Sequence, residues 1–95
     1  MPCGWLYIMS NRPNGTLYVG ATTDIARRAW EHRKGSAAGF TRRYGLSRLV
    51  YVEAYDDILL AKQRERNMTH SLRAWKVRLI LRDNPGWDDF YDRLP

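Results

Sequence analysis

The chain has 95 residues, 44% of them hydrophobic and 13% aromatic, which supplies one core but leaves too little length for two domains. A single cysteine, Cys3, excludes an internal disulfide and a multi-cysteine zinc site, and no apolar run approaches the roughly 20 residues of a membrane span. The net charge of +6 comes mostly from arginine, so a basic, cytoplasmic, single-domain protein over residues 1–95 is expected.

Trp5-Leu6-Tyr7-Ile8-Met9 and Leu17-Tyr18-Val19-Gly20-Ala21 are short runs of aromatic and branched residues. Asn11-Arg12-Pro13-Asn14-Gly15 lies between them and carries turn chemistry, which predicts a β-hairpin. Gly20 marks either a bulge or a close approach to the backbone. Thr22 or Thr23 can cap a helix from Asp24 to Lys34, with Gly35 closing it. Residues 36–47 hold two glycines and no period, and read as a loop. Leu49 to Tyr55 is almost continuously apolar, as suits the central strand of a covered sheet. Asp56-Asp57 signals a helix from Ile58 to about Thr69, and Ser71 can cap a third helix reaching about Arg82. Asn84-Pro85-Gly86 breaks the chain, and Trp87 to Leu94 forms an aromatic tail expected to fold back onto the core. The order ββαβαα defines an α+β domain, a small sheet with helices packed on it.

The charge is not spread evenly. Residues 27–48 carry Arg27, Arg28, Arg33, Lys34, Arg42, Arg43 and Arg48 against Glu31 alone, a local excess of +6. Residues 62–82 carry another +6, with Glu65 their only acid, while 49–61 and 83–95 are each −3. The guanidinium fork matches phosphate better than an ammonium does, so nucleic acid is the leading partner class.

Two polar residues stand where helical periodicity expects apolar ones. Glu65 shares a face with Ile58, Ala61 and Met68, and Arg28 shares one with Ile25, Ala29 and His32. An inward carboxylate and an inward guanidinium form either a structural ion pair or a polar cleft. Tyr7 and Tyr18, one on each hairpin strand, either pack the core or face such a cleft beside Gly20.

Trp5-Leu6-Tyr7, then Tyr18-Val19-Gly20, then Asp24 to His32 and Arg64-Glu65-Arg66 together resemble the GIY-YIG endonuclease superfamily over essentially the whole chain. Gly39-Phe40-Thr41, Leu49-Val50-Tyr51, Ala74-Trp75-Lys76 and Asn84-Pro85-Gly86-Trp87 are similar to the small stand-alone bacterial members. The resemblance implies a three-stranded antiparallel sheet flanked by helices and cleavage of phosphodiester bonds in DNA with one divalent metal, Mg²⁺ or Mn²⁺. It implies Tyr7, Tyr18, Arg28, His32 and Glu65 as the catalytic set, with Glu65 as metal ligand. Arg28 is expected to stabilise the phosphate and either tyrosine to assist the attacking water. Gly20, Arg27, Arg33, Lys34, Arg42, Arg43 and Arg66 are expected to contact the nucleic acid. Trp5 replaces the first glycine of the motif name, and Thr69-His70-Ser71 stands where such relatives carry a basic-aromatic stretch. The alternatives are a nucleic-acid-binding module with weak or no cleavage, or a protein-interaction domain using Trp87, Phe90 and Tyr91. DNA is the expected partner with RNA left open, no membrane is involved, and the protein is expected as a monomer or weak dimer.

Overall fold

Both faces of the first strand are apolar, and the fold is built around that strand. A computed structural model describes residues 2–34 and 43–94. It comprises β1 (Gly4–Ser10), β2 (Leu17–Thr22), α1 (Ile25–Arg33), β3 (Arg48–Tyr55), α2 (Ile58–Thr69), α3 (Arg73–Asp83) and a 3-10 turn at Tyr91–Arg93. The expected Gly35 helix stop, most of the 36–47 loop and Arg42 lie outside the described residues.

The sheet has three antiparallel strands in the order β2-β1-β3, so β1 is central and β3, expected there, lies at an edge. An apolar run reports coverage on both faces, and β3 obtains that coverage at an edge. Tyr51 packs with Met68 and Ile80 on one side, and Leu49 packs with the C-terminal tail on the other. The β1–β3 register shifts between Ile8 and Met9, which pair with Tyr51 and Leu49, leaving Val50 as the extra residue. The bulge thus falls in this ladder, and the β1–β2 ladder through Gly20 runs without one.

Pleating sends alternate residues to opposite faces. Leu6, Ile8 and Val19 join Met68 of α2 and Ile80 of α3 in one core. Tyr7 and Met9 join Ile25 and Ala29 of α1, with Leu46 and Leu49, in the other. Burial on both faces stabilises the sheet by roughly 1.5–3 kcal/mol for each large side chain withdrawn from water.

Local chemistry sets the ends of the elements. In the hairpin loop, Gly15 N donates to Arg12 O at 3.0 Å and Asn14 takes φ 55°, so Pro13-Asn14 is the turn centre. Asp24 itself caps α1, its Oδ1 accepting from Arg27 N at 3.1 Å, while Thr22 Oγ1 accepts from Asp24 N. A carboxylate fits the exposed amides of a first turn well, which displaces the expected threonine cap. Asp57 caps α2 in the same way, and that helix has the expected bounds. Ser71 does not cap α3. Its hydroxyl turns back to donate to Met68 O at 2.6 Å, and Leu72 takes the cap position without a side-chain bond.

Asn84 ends α3 and ties the tail down. Its amide donates to Val50 O at 3.1 Å and Asp88 O at 2.8 Å, and its Oδ1 accepts from Asp88 N. Phe90 N donates to Leu49 O, so the tail folds onto β3 as expected. Trp87 is only 5% exposed and belongs to the core, which removes it from the apolar interaction patch considered above.

Candidate functional site

The Tyr7–Gly20 pair of the β1–β2 ladder fixes the centre of the site. A Cβ on Gly20 would lie 2.5 Å from Tyr7 Cζ and 2.9 Å from Cε1, closer than real Cβ contacts allow. The missing side chain lets the Tyr7 ring lie across the neighbouring strand, so Gly20 marks a close approach by the protein's own tyrosine. Gly4 serves a similar end at α2, where a Cβ would lie 2.7 Å from Ile58 Cα.

Tyr7, Tyr18 and His32 form a triangle of rings. Centroid separations are 6.3 Å for the tyrosines, 5.7 Å for Tyr7–His32 and 5.8 Å for Tyr18–His32, all tilted. The Tyr7 hydroxyl lies 3.2 Å from His32 Nε2 in a buried hydrogen bond. Burial pushes the Tyr7 hydroxyl well above the usual phenol range; Tyr18 adds to the shift, and the positive charge of Arg28 opposes it. Tyr7 therefore stays protonated at neutral pH. Burial and the nearby Arg28 hold His32 below the ordinary imidazole value, against the opposing pull of Glu31. His32 is thus neutral near pH 7, and its Nδ1 is buried without a partner among the described residues.

Arg28 is half-buried and reaches Glu31, with Nε 3.2 Å from Oε1. The other carboxylate oxygen lies 3.7 Å from Arg27 Nε. These three residues, with Thr22, Thr23 and Asp24, line a depression of about 400 Å³.

Glu65 approaches from elsewhere. Its helix, α2, packs on the sheet face opposite α1, so the two inward polar residues do not pair across one core. Glu65 instead lies at the free edge of β2, in a cleft of about 320 Å³ lined by Tyr18, Gly20, Ala21, Lys62, Glu65 and Arg66. Tyr18 connects the two sets, touching the ring triangle and lining the Glu65 cleft. Among the described residues, none pairs with the half-buried Glu65 side chain.

A carboxylate in a cleft that Tyr18 also lines suits a hard cation such as Mg²⁺, which keeps several waters and uses one or two carboxylates. Among the described residues, no group of three His, Cys, Asp or Glu side chains gathers to form an all-protein cage. A single carboxylate of this kind fits a cation that keeps most of its waters, and not a closed protein cage.

The expected phosphate contacts have different surroundings. Arg27, Arg66 and Lys34 are exposed, and Arg66 lines the Glu65 cleft. Arg43 is exposed and lies over Tyr44 with 5.7 Å to the ring centroid. Arg33 is occupied by the tail, 4.7 Å from the Tyr91 ring centroid and 3.8 Å from Asp92. Lys62 was not singled out in the sequence, although its position three residues before Glu65 puts both on one helical face.

Residues 3–78 match the GIY-YIG catalytic domain, and the chain belongs to the GIY-YIG family. Its similarity is to UPF0213 proteins. It is 38% identical over 76 residues to one from Natronomonas pharaonis, covering 80% of this chain and 88% of that one. It is 30% identical over 92 residues to one from Enterobacter sp., covering 97% of this chain and 88% of that one. The solution NMR structure of a UPF0213 protein from Bacillus halodurans aligns over 90% of each chain, with 30% identity and a TM-score of 0.55. The α+β architecture, with its three-stranded antiparallel sheet flanked by helices, is that of the family.

Proposed function

We propose that the cleft at the free edge of β2 binds a nucleic-acid phosphate and, with a divalent cation held by Glu65, hydrolyses phosphodiester bonds in DNA. The observation that carries this reading is a half-buried carboxylate without a partner among the described residues, sharing its cleft with Lys62, Arg66 and Tyr18, whose ring packs with Tyr7 and His32. Mg²⁺ or Mn²⁺, when bound, supplies positive charge for the phosphate and lowers the pKa of water at the site.

The remaining work falls to the chain's own groups. Arg28 offsets the charge that builds on the phosphate oxygens. Tyr18, the tyrosine that lines the Glu65 cleft, holds the attacking water in line through its hydroxyl. Tyr7 remains protonated and holds Tyr18 and the water in line, with neutral His32 fixing the Tyr7 hydroxyl. Arg27, Lys34, Arg43 and Arg66 form the approach surface for the polyanion.

A binding module with weak or no cleavage is the second reading. Two observations favour it: no three-ligand metal cluster exists among the described residues, and Arg28 is already engaged by Glu31. Incubating the protein with supercoiled, linear, branched and single-stranded DNA in Mg²⁺ or Mn²⁺ separates the two. Metal-dependent nicking supports the nuclease; salt-sensitive binding of every substrate without nicking assigns the binding module.

A further inference from the structure

We infer that Glu31 is an internal stand-in for phosphate, holding a two-arginine phosphate site closed until nucleic acid displaces it. The inference rests on the nucleic-acid-binding reading above. One carboxylate spans two guanidiniums, with Oε1 3.2 Å from Arg28 Nε and Oε2 3.7 Å from Arg27 Nε. A phosphodiester also offers two anionic oxygens to two guanidiniums, so the same pair of donors fits either anion. The depression at this bridge is lined by Arg27 and Arg28 but also by Asp24 and Glu31, so its formal charges cancel while Glu31 stays in place.

The bridge is not a buried structural pair. The side chains of Arg27, Arg28 and Glu31 are 76%, 43% and 31% exposed, so the contacts sit in solvent where ion pairs are weak and exchangeable. All three residues lie on α1, with Glu31 one helical turn beyond Arg27 and Arg28, so breaking the bridge frees side chains without moving the helix. Displacement leaves both guanidiniums for phosphate and swings one carboxylate away. The same step releases Arg28, whose positive charge already acts on Tyr7 and His32, for the reacting phosphate. Glu31 is thus a positioning residue that sets how readily Arg28 becomes available.

The test is DNA binding by Glu31→Gln in EDTA across a salt series, beside Asp83→Asn. The control removes the same charge and also frees an arginine, Arg82, on α3. The expected result is a gain in affinity of about two- to fivefold for Glu31→Gln at low salt, fading as salt screens the site, with a smaller gain for the control. Arg28→Ala should abolish most of the gain in the double variant, which a general charge effect would not do. Equal gains for Glu31→Gln and Asp83→Asn, or a gain that survives Arg28→Ala, overturn the inference. Absence of binding by the wild-type protein overturns the underlying reading instead.

Discussion

Replacing Gly20 by alanine places a methyl group against the Tyr7 ring, 2.5 Å from Cζ. The ring has nowhere to retreat, since Tyr7 is 1% exposed and its hydroxyl is tied to His32. Overpacking of this kind costs about 1–3 kcal/mol, and weakening the buried hydrogen bond adds about 0.5–1.5 kcal/mol. The lower chain entropy of alanine in the unfolded state returns about 0.4–1 kcal/mol. A net loss of about 0.5–4 kcal/mol follows, centred at about 2 kcal/mol, which lowers Tm by roughly 4–8 °C for each kcal/mol in a domain of this size. Urea and thermal unfolding of Gly20→Ala measure it directly. The clash account also requires coupling: in a Tyr7→Ala background the same substitution should cost under about 0.5 kcal/mol, because the atoms it strikes are gone. A Gly20→Ala protein as stable as wild type, or an equal loss in both backgrounds, refutes the reasoning.

Two further outcomes concern charge. His32 is held below its ordinary value of 6.5 by burial and by Arg28, so the unfolded chain binds more protons than the folded one as pH falls below that value. Stability should therefore drop on acidification below about pH 6.5, and His32→Gln should flatten that part of the urea-midpoint profile; an unchanged slope contradicts the assignment. Burial alone would raise Glu53, but hydrogen bonds from Arg64, Tyr51 and Tyr55 outweigh it and hold its carboxyl below the usual range. Its stabilisation is therefore present above the ordinary glutamate value and lost as pH falls through the lower folded one. Glu53→Ala should cost about 2–3 kcal/mol at pH 7, read as a lower urea midpoint; a loss under about 0.5 kcal/mol would show that the network is incidental.

Much of this arrangement was legible in the residues. The hairpin followed from two apolar runs around a turn, and α2 from the Asp57 cap and a clear period. Strand order was not legible, because Leu49 to Tyr55 is apolar for being covered on both faces, which a tail and two helices achieve at a sheet edge as well as neighbouring strands do in the centre. Helical period placed Arg28 and Glu65 on faces shared with apolar residues, but it carries no information on which face of the sheet each helix covers, and the Arg28 side chain turns outward to the surface to meet Glu31. Hence the meeting of α1 and α2 chemistry around the β2 edge, with Tyr18 between them, emerges only from the tertiary arrangement. The Glu31 bridge was hidden for a different reason: spacings of three and four residues on a helix always permit such pairs, and only coordinates show which are made.

In the proposed function, metal-dependent phosphodiesterase activity depends on Glu65. The most direct measurement is nicking of supercoiled DNA in Mg²⁺ or Mn²⁺ by wild type and Glu65→Gln, with DNA affinity measured for both. Wild type should nick only with metal present, and Glu65→Gln should lose at least about 100-fold in rate while binding DNA as well as wild type. Nicking that persists in Glu65→Gln, or in EDTA, would contradict the account.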